Sequence, residues 1–308
     1  MTKKEPAAGR AFPYSTAQAF GAALNDRLKT VAAESAYSVS QLRRQFAYDR
    51  LLARLFRDPA AGWVLKGGIS MIARLPVARH SADVDLAAAL DSPQDALQAL
   101  RMATNIDLGD FFTIGFDQPR SMVQGVDGIR VIAEARLGPR VFERFGVDLV
   151  TAAVITGTVE CADPILDLGI PGLARPCYRL YPLADTLADK FMGIIERHGQ
   201  RPSTRFRDLV DIVLIAHSQS VDAQALSTAL ASEQRRRGLI LPDQFDVPNH
   251  ALWEAGYRTA SDVPGLAERT LAAAVTTAQQ LFDPVLNGRA CGLWDPHSLR
   301  WDSGEASA

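Results

Sequence analysis

The chain has 308 residues, with 33 Lys and Arg against 35 Asp and Glu, for a formal net charge of −2. Hydrophobic residues make up 47% and charged residues 22%, an ordinary globular mixture that excludes disordered, collagen-like and coiled-coil classes. A wholesale basic protein is excluded as well, so contact with nucleic acid would have to come from local patches.

In chain order, residues 1–14 read as a polar tail. Phe20, Leu24, Leu28 and Val31, then Leu42, Phe46, Leu51 and Leu55, recur at helical spacing up to the stop at Asp58-Pro59. Trp63-Val64-Leu65 predicts a short strand closed by Gly67-Gly68, and Ile69–Leu75 a short helix ended by Pro76. Asp83-Val84-Asp85-Leu86 predicts a second strand, followed by a helix near Gln94–Met102 and strands at Phe111–Phe116, Ile129–Leu137 and Gly146–Val150. Strands interleaved with helices over residues 60–160 point to an α/β or α+β sheet domain. Residues 161–176, rich in Pro and Gly, read as a connector. One more strand, Cys177–Tyr181, leads into a helix at about Leu183–Arg197. Helical pattern resumes beyond Arg205 and runs to about Leu286, with a loose tail expected from Asp295.

The three cysteines (Cys161, Cys177, Cys291) have no CxxC spacing and no close histidine, which predicts neither a disulfide framework nor a zinc site. With no apolar segment of signal-peptide or membrane-span type, the expected location is the cytoplasm. Only five of the basic residues are lysines, Lys3, Lys4, Lys29, Lys66 and Lys190. In so arginine-rich a chain, a lysine kept in an interior segment needs its own reason, which singles out Lys66 and Lys190.

The densest chemistry is Leu65-Lys66-Gly67-Gly68-Ile69-Ser70, followed by Asp83-Val84-Asp85. Residues two apart on a strand share a face, so Asp83 and Asp85 present paired carboxylates whose repulsion a Mg²⁺ ion would relieve. Glycines between a strand and a helix let the backbone approach a phosphate, which the helix N-terminus favours. Together they suit a metal-bound triphosphate.

Leu65-Lys66-Gly67-Gly68 with Arg79-His80-Ser81-Ala82-Asp83-Val84-Asp85-Leu86 resembles the signature of the AbiEii/MenT group of nucleotidyltransferase toxins. Val147-Asp148-Leu149, Tyr181-Pro182-Leu183 to Asp189-Lys190-Phe191, and Arg205-Phe206-Arg207-Asp208-Leu209-Val210-Asp211 extend the resemblance, which covers roughly residues 60–215. It implies an α+β fold: a polymerase-β-like nucleotidyltransferase core, a mixed sheet with helices, plus a helical C-terminal domain. The expected division is an N-terminal helical segment at 1–58, the core at 59–182, and the helical domain at 183–308, contributing Lys190 and Asp208 to the site.

By resemblance, Asp83, Asp85 and Asp148 would bind two Mg²⁺ ions, one clamping the triphosphate and the other activating the acceptor hydroxyl. Lys66, Gly67, Gly68 and Ser70 would hold the nucleotide's phosphates, although the family often has Ser or Thr where Ile69 stands. Lys190 would neutralise developing charge, and Asp208 or Asp211 would position Lys190 or the nucleotide. Lys190 has the alternative of a helical pair with Asp185 or Asp189. A hydroxyl two residues before Asp83 lies where a phosphate would repel nucleotide, so modification of Ser81 would inhibit.

Three basic runs are candidate nucleic-acid contacts or solvated helix faces: Arg43, Arg44, Arg50, Arg54 and Arg57; Arg197, His198, Arg201, Arg205 and Arg207; and Arg235–Arg237. The second adjoins Lys190 and Asp208 in sequence and would guide an RNA end. The implied activity is transfer of NMP from an NTP, a pyrimidine nucleotide by resemblance, to the 3′ acceptor end of tRNA. That would block aminoacylation and translation, with a cognate antitoxin as partner and a monomer as the simpler state. The rivals are a nucleotidyltransferase acting on a small molecule or protein hydroxyl, and a non-catalytic nucleotide-binding module.

Overall fold

A computed structural model describes residues 11–75, 81–122, 128–151 and 153–302. Arg79 and His80 of the resemblance motif lie outside the described residues. The elements in order are α1 (Ala17–Ala33), α2 (Val39–Leu55), β1 (Val64–Lys66), α3 (Gly67–Arg74), β2 (Asp83–Ala87), α4 (Pro93–Thr104), β3 (Phe112–Phe116), β4 (Arg120–Ser121), β5 (Gly128–Leu137) and β6 (Arg140–Val150). There follow β7 (Glu160–Ala162), β8 (Tyr178–Leu180), α5 (Leu183–Ile195), β9 (Arg197–His198), β10 (Arg201–Pro202), α6 (Phe206–Ala216), α7 (Ala223–Arg237), α8 (His250–Ala260), α9 (Leu271–Leu286), β11 (Trp294–Asp295) and β12 (Arg300–Trp301).

The fold is α+β, with an eight-stranded mixed sheet ordered β3-β5-β6-β2-β1-β8-β7 and β4 paired to β5. β2 runs parallel to β6 and β1 parallel to β8, while β1–β2, β3–β5 and β5–β6 are antiparallel. No helix among the described residues is long and apolar enough to cross a membrane.

The chain divides into two compact units: Met1–Ile69 with His80–Ala153 and Cys161–Leu180, and Ser70–Arg79 with Val154–Glu160 and Tyr181–Ala308. The first unit takes in α1 and α2, which the sequence set apart as a segment of their own. Local chemistry explains this. Ser38 and Gln41 cap α2 reciprocally, and Tyr48 on that helix donates to the Ala82 carbonyl at 2.7 Å. Arg54 makes a two-point pair with Asp110 (2.8 and 3.2 Å), all of it buried, and donates to the Phe112 carbonyl. Phe46, Phe112 and Phe142 close the core beside it, with ring centroids 5.0 to 6.1 Å apart.

The second unit is helical and includes two segments from earlier in the chain. Arg74 of α3 donates to the Tyr181 carbonyl at 2.6 Å, and Asp185 accepts from the backbone N–H groups of Thr156 and Gly157. Phe191, Phe245 and Phe282 form its aromatic centre.

Three expectations are corrected. Residues 294–302 are anchored rather than loose: β11 pairs with β12, and the buried Trp294 indole donates to the Ala216 carbonyl at 2.7 Å. Cys161 and Cys177 form a disulfide, their Cα atoms 5.7 Å apart, because β7 lies beside β8 at the sheet edge. Most of the first arginine run is not a solvated face, Arg57 alone of the five being exposed. Arg50 and Arg54 are buried against Asp110, and Arg43 donates to the Phe142 carbonyl and lies over that ring. The third run is largely spent too, since Arg236 and Arg237 pair with Glu233 and Asp189.

Candidate active site

In the first unit, β2 alternates with Val84 buried in the core, which turns Asp83 and Asp85 together to the other face. The parallel register sets Asp85 against Asp148, so that three carboxylates share one face of adjacent strands. Lys66, at the end of β1, stands directly across from Asp85 in the antiparallel register. The sequence-predicted residues of this unit are thereby brought together by strand register.

The glycine turn is packed from within. Gly67 has φ +62°, and a Cβ there would run into the Asp85 carboxylate. A Cβ on Gly68 would lie 2.5 Å from Ser81 Oγ. Both glycines therefore make room for the protein's own side chains beside the start of α3. Ser81 is buried, and its hydroxyl donates to the Asp83 carbonyl at 3.0 Å. Ser70, expected at the phosphates, is wholly buried in α3.

Arg130 is the residue that sequence reasoning passed over. It lies on β5 directly across from Asp148, and its side chain pairs with Asp83 through Nη2 and with Asp148 Oδ1 through Nε at 3.4 Å. Gly146 gives it room: a Cβ there would lie 2.8 Å from Arg130 Nη2 and closer still to Asp83. A glycine inside the apolar strand Phe145-Gly146-Val147 was the available signal, because such a glycine marks a close approach. The hydrogen bond that Arg130 donates to Asp83 holds the guanidinium above its ordinary value, against burial. Burial, with the charges of Asp85 and Asp83, pushes Asp148 up to about 6 despite Arg130.

For a divalent cation, the donor chemistry fits: hard carboxylate oxygens on one face, one of them, Asp148 Oδ1, buried with no hydrogen-bond partner. They are not drawn into a coordination shell. Among the described residues, no group of three or more His, Cys, Asp or Glu is arranged to hold a metal ion, and here Arg130 spans Asp83 and Asp148.

In the second unit, Lys190 on α5 is buried and paired with both carboxylates of α6, Asp211 at 2.7 Å and Asp208 at 3.0 Å. Burial works against its charge, but the two aspartates outweigh it and hold the ammonium above the usual lysine value. The helical alternatives are taken elsewhere: Asp185 caps the 156–157 backbone and Asp189 meets Arg236 and Arg237. Asp208 also pairs with Arg205 at 3.0 Å, where Gly193 leaves space for the arginine side chain. Arg197 and Arg201 lie on the β9–β10 hairpin, a turn that helical patterning did not predict. Both are exposed, as are Arg205 and Arg207.

The fold resembles that of MenT4, a nucleotidyltransferase toxin from Mycobacterium tuberculosis, with a TM-score of 0.50 and 18% identity over 86% of this chain and 98% of that one. JHP933 from Helicobacter pylori matches with a TM-score of 0.48 and 15% identity over 82% of this chain and 96% of its own. No curated protein matches the sequence. The residues that a nucleotidyltransferase family model matches include the strand–Gly-Gly–helix turn and the DxD strand of the mixed sheet. The family model of the nucleotidyl transferase AbiEii toxin, type IV toxin–antitoxin system, matches residues 50–285. The chain belongs to the AbiEii family.

Proposed function

We propose that this toxin transfers NMP from an NTP, CTP or UTP first, to the 3′ acceptor end of tRNA in a Mg²⁺-dependent reaction that blocks aminoacylation. The observation that carries the reading is the alignment of Asp83, Asp85 and Asp148 on one face, beside the Gly67-Gly68 turn and the N-terminus of α3. Those three carboxylates would hold the divalent cation, which when bound supplies charge neutralisation and an acidified acceptor hydroxyl.

The chain's own groups divide the remaining work. Lys66 and the backbone of Gly67 and Gly68 are the proposed phosphate contacts. In the second unit, Lys190 is the proposed cation for developing phosphate charge, Asp208 and Asp211 the groups that fix it. Asp208 is preferred as the active one because it also engages the exposed Arg205. Exposed Arg197, Arg201, Arg205 and Arg207 suit RNA phosphates, which arginine engages bidentately. The proposed setting is the cytoplasm, with a monomeric toxin and a cognate antitoxin.

Incubation with total tRNA, Mg²⁺ and each α-labelled NTP tests the reading. Label on tRNA with one pyrimidine nucleotide is expected. Label on protein or a small molecule, with tRNA unlabelled, would refute the tRNA acceptor.

A further inference from the structure

Arg130 occupies the oxygens that a cation would need. It leaves β5 on the same face as Asp148, its antiparallel partner, and reaches back to Asp83 two strands away. Gly146, the residue opposite Asp83 in the parallel register, has no side chain to block that path. A guanidinium has five N–H donors and no lone pair, so it cannot itself ligate a metal. It satisfies carboxylate charge in the place where a divalent ion would satisfy it.

We infer that Arg130 is a displaceable internal counter-ion: it holds Asp83 and Asp148 in the ion-free protein, and a divalent cation must evict its guanidinium to bind there. This rests on the metal-dependent reading above. Two features make eviction feasible. The Arg130 side chain is 43% exposed, so the freed guanidinium can turn into water. Its grip on Asp148 is an ion pair at 3.4 Å, and Asp148 Oδ1 has no hydrogen bond to lose. Metal affinity is therefore set by competition within the chain as well as by the carboxylates. Arg130 acts through Asp83 and Asp148 and is a positioning residue.

The test is Mn²⁺ binding to the full chain, read from the electron paramagnetic resonance signal of free Mn²⁺, with no nucleotide and no turnover. Arg130→Gln should bind Mn²⁺ more tightly than wild type, by about threefold to fivefold, as expected for loss of a half-exposed competing pair. Arg130→Lys, which keeps the charge but loses the fork, should fall between them and also serves should the glutamine variant not fold. Equal or weaker binding by Arg130→Gln, with wild type binding normally, overturns this inference alone. Absence of binding in both proteins overturns it together with the metal-dependent reading.

Discussion

In the first unit, three carboxylates share a sheet face with a half-exposed guanidinium; in the second, one ammonium is buried between two carboxylates. Strand register forces Asp85 and Asp148 side by side, and Asp148 is driven up to about 6 by burial and by its neighbours. Lys190 shows the reverse balance. Its partners outweigh the cost of burial and keep it charged. A cluster in which like charges are held together against their preference is poised to take a cation. A cluster whose charges are matched internally is a fixed charge, held in one geometry.

Substitutions should separate the two. Asp83→Asn should reduce nucleotide transfer to background while costing about 1 kcal/mol of stability or less, because its pair with Arg130 is partly exposed to water. Lys190→Met should cost far more stability, about 3–5 kcal/mol, since it strands two aspartates around a buried gap. Denaturant titration alongside the transfer assay reads both. Equal stability losses would erase the distinction.

The pH dependence sharpens it. A metal ligand must be deprotonated, so Mn²⁺ affinity should fall as pH drops through about 6 where Asp148 gains its proton, approaching tenfold per unit below that. A Mn²⁺ titration flat from pH 7.5 to 5 would remove Asp148 from the ligand set. The Lys190 charge, held above the ordinary lysine value, should not change over that range.

A smaller effect is expected at the hairpin arginines. Arg197→Ala and Arg201→Ala should raise KM for tRNA with little change in kcat, and each lost phosphate contact should lower the salt slope by about one. An unchanged salt dependence would move the RNA contact elsewhere. Outside both sites, burial pushes Asp49 up to about 7. The folded state then keeps a proton that the unfolded chain releases, so stability falls as pH rises from about 4 to 7. Asp49→Asn should flatten that part of the profile, as thermal melts at pH 5 and 7.5 would report.

Much of this was legible in the sequence because it is local. The DxD alternation, the glycine pair between strand and helix, and Asp208 and Asp211 one helical turn apart are short-range patterns. What stayed hidden depends on register between distant segments. Arg130 meets Asp148 only because β5 and β6 pair with those two residues opposite. The Cys161–Cys177 bond follows from β7 lying beside β8, and the burial of Arg50 and Arg54 from a partner, Asp110, far along the chain. An arginine run looks the same in sequence whether it faces water or a buried carboxylate.

Mass measurement of the tRNA 3′ terminus after reaction with each NTP tests the central claim most directly, with the Asp83→Asn protein as control. The account predicts 3′ ends lengthened by whole pyrimidine nucleotides in the wild-type reaction only, and a matching loss of aminoacylation. Unaltered 3′ ends, with nucleotidyl groups recovered on protein or a small molecule instead, would contradict it.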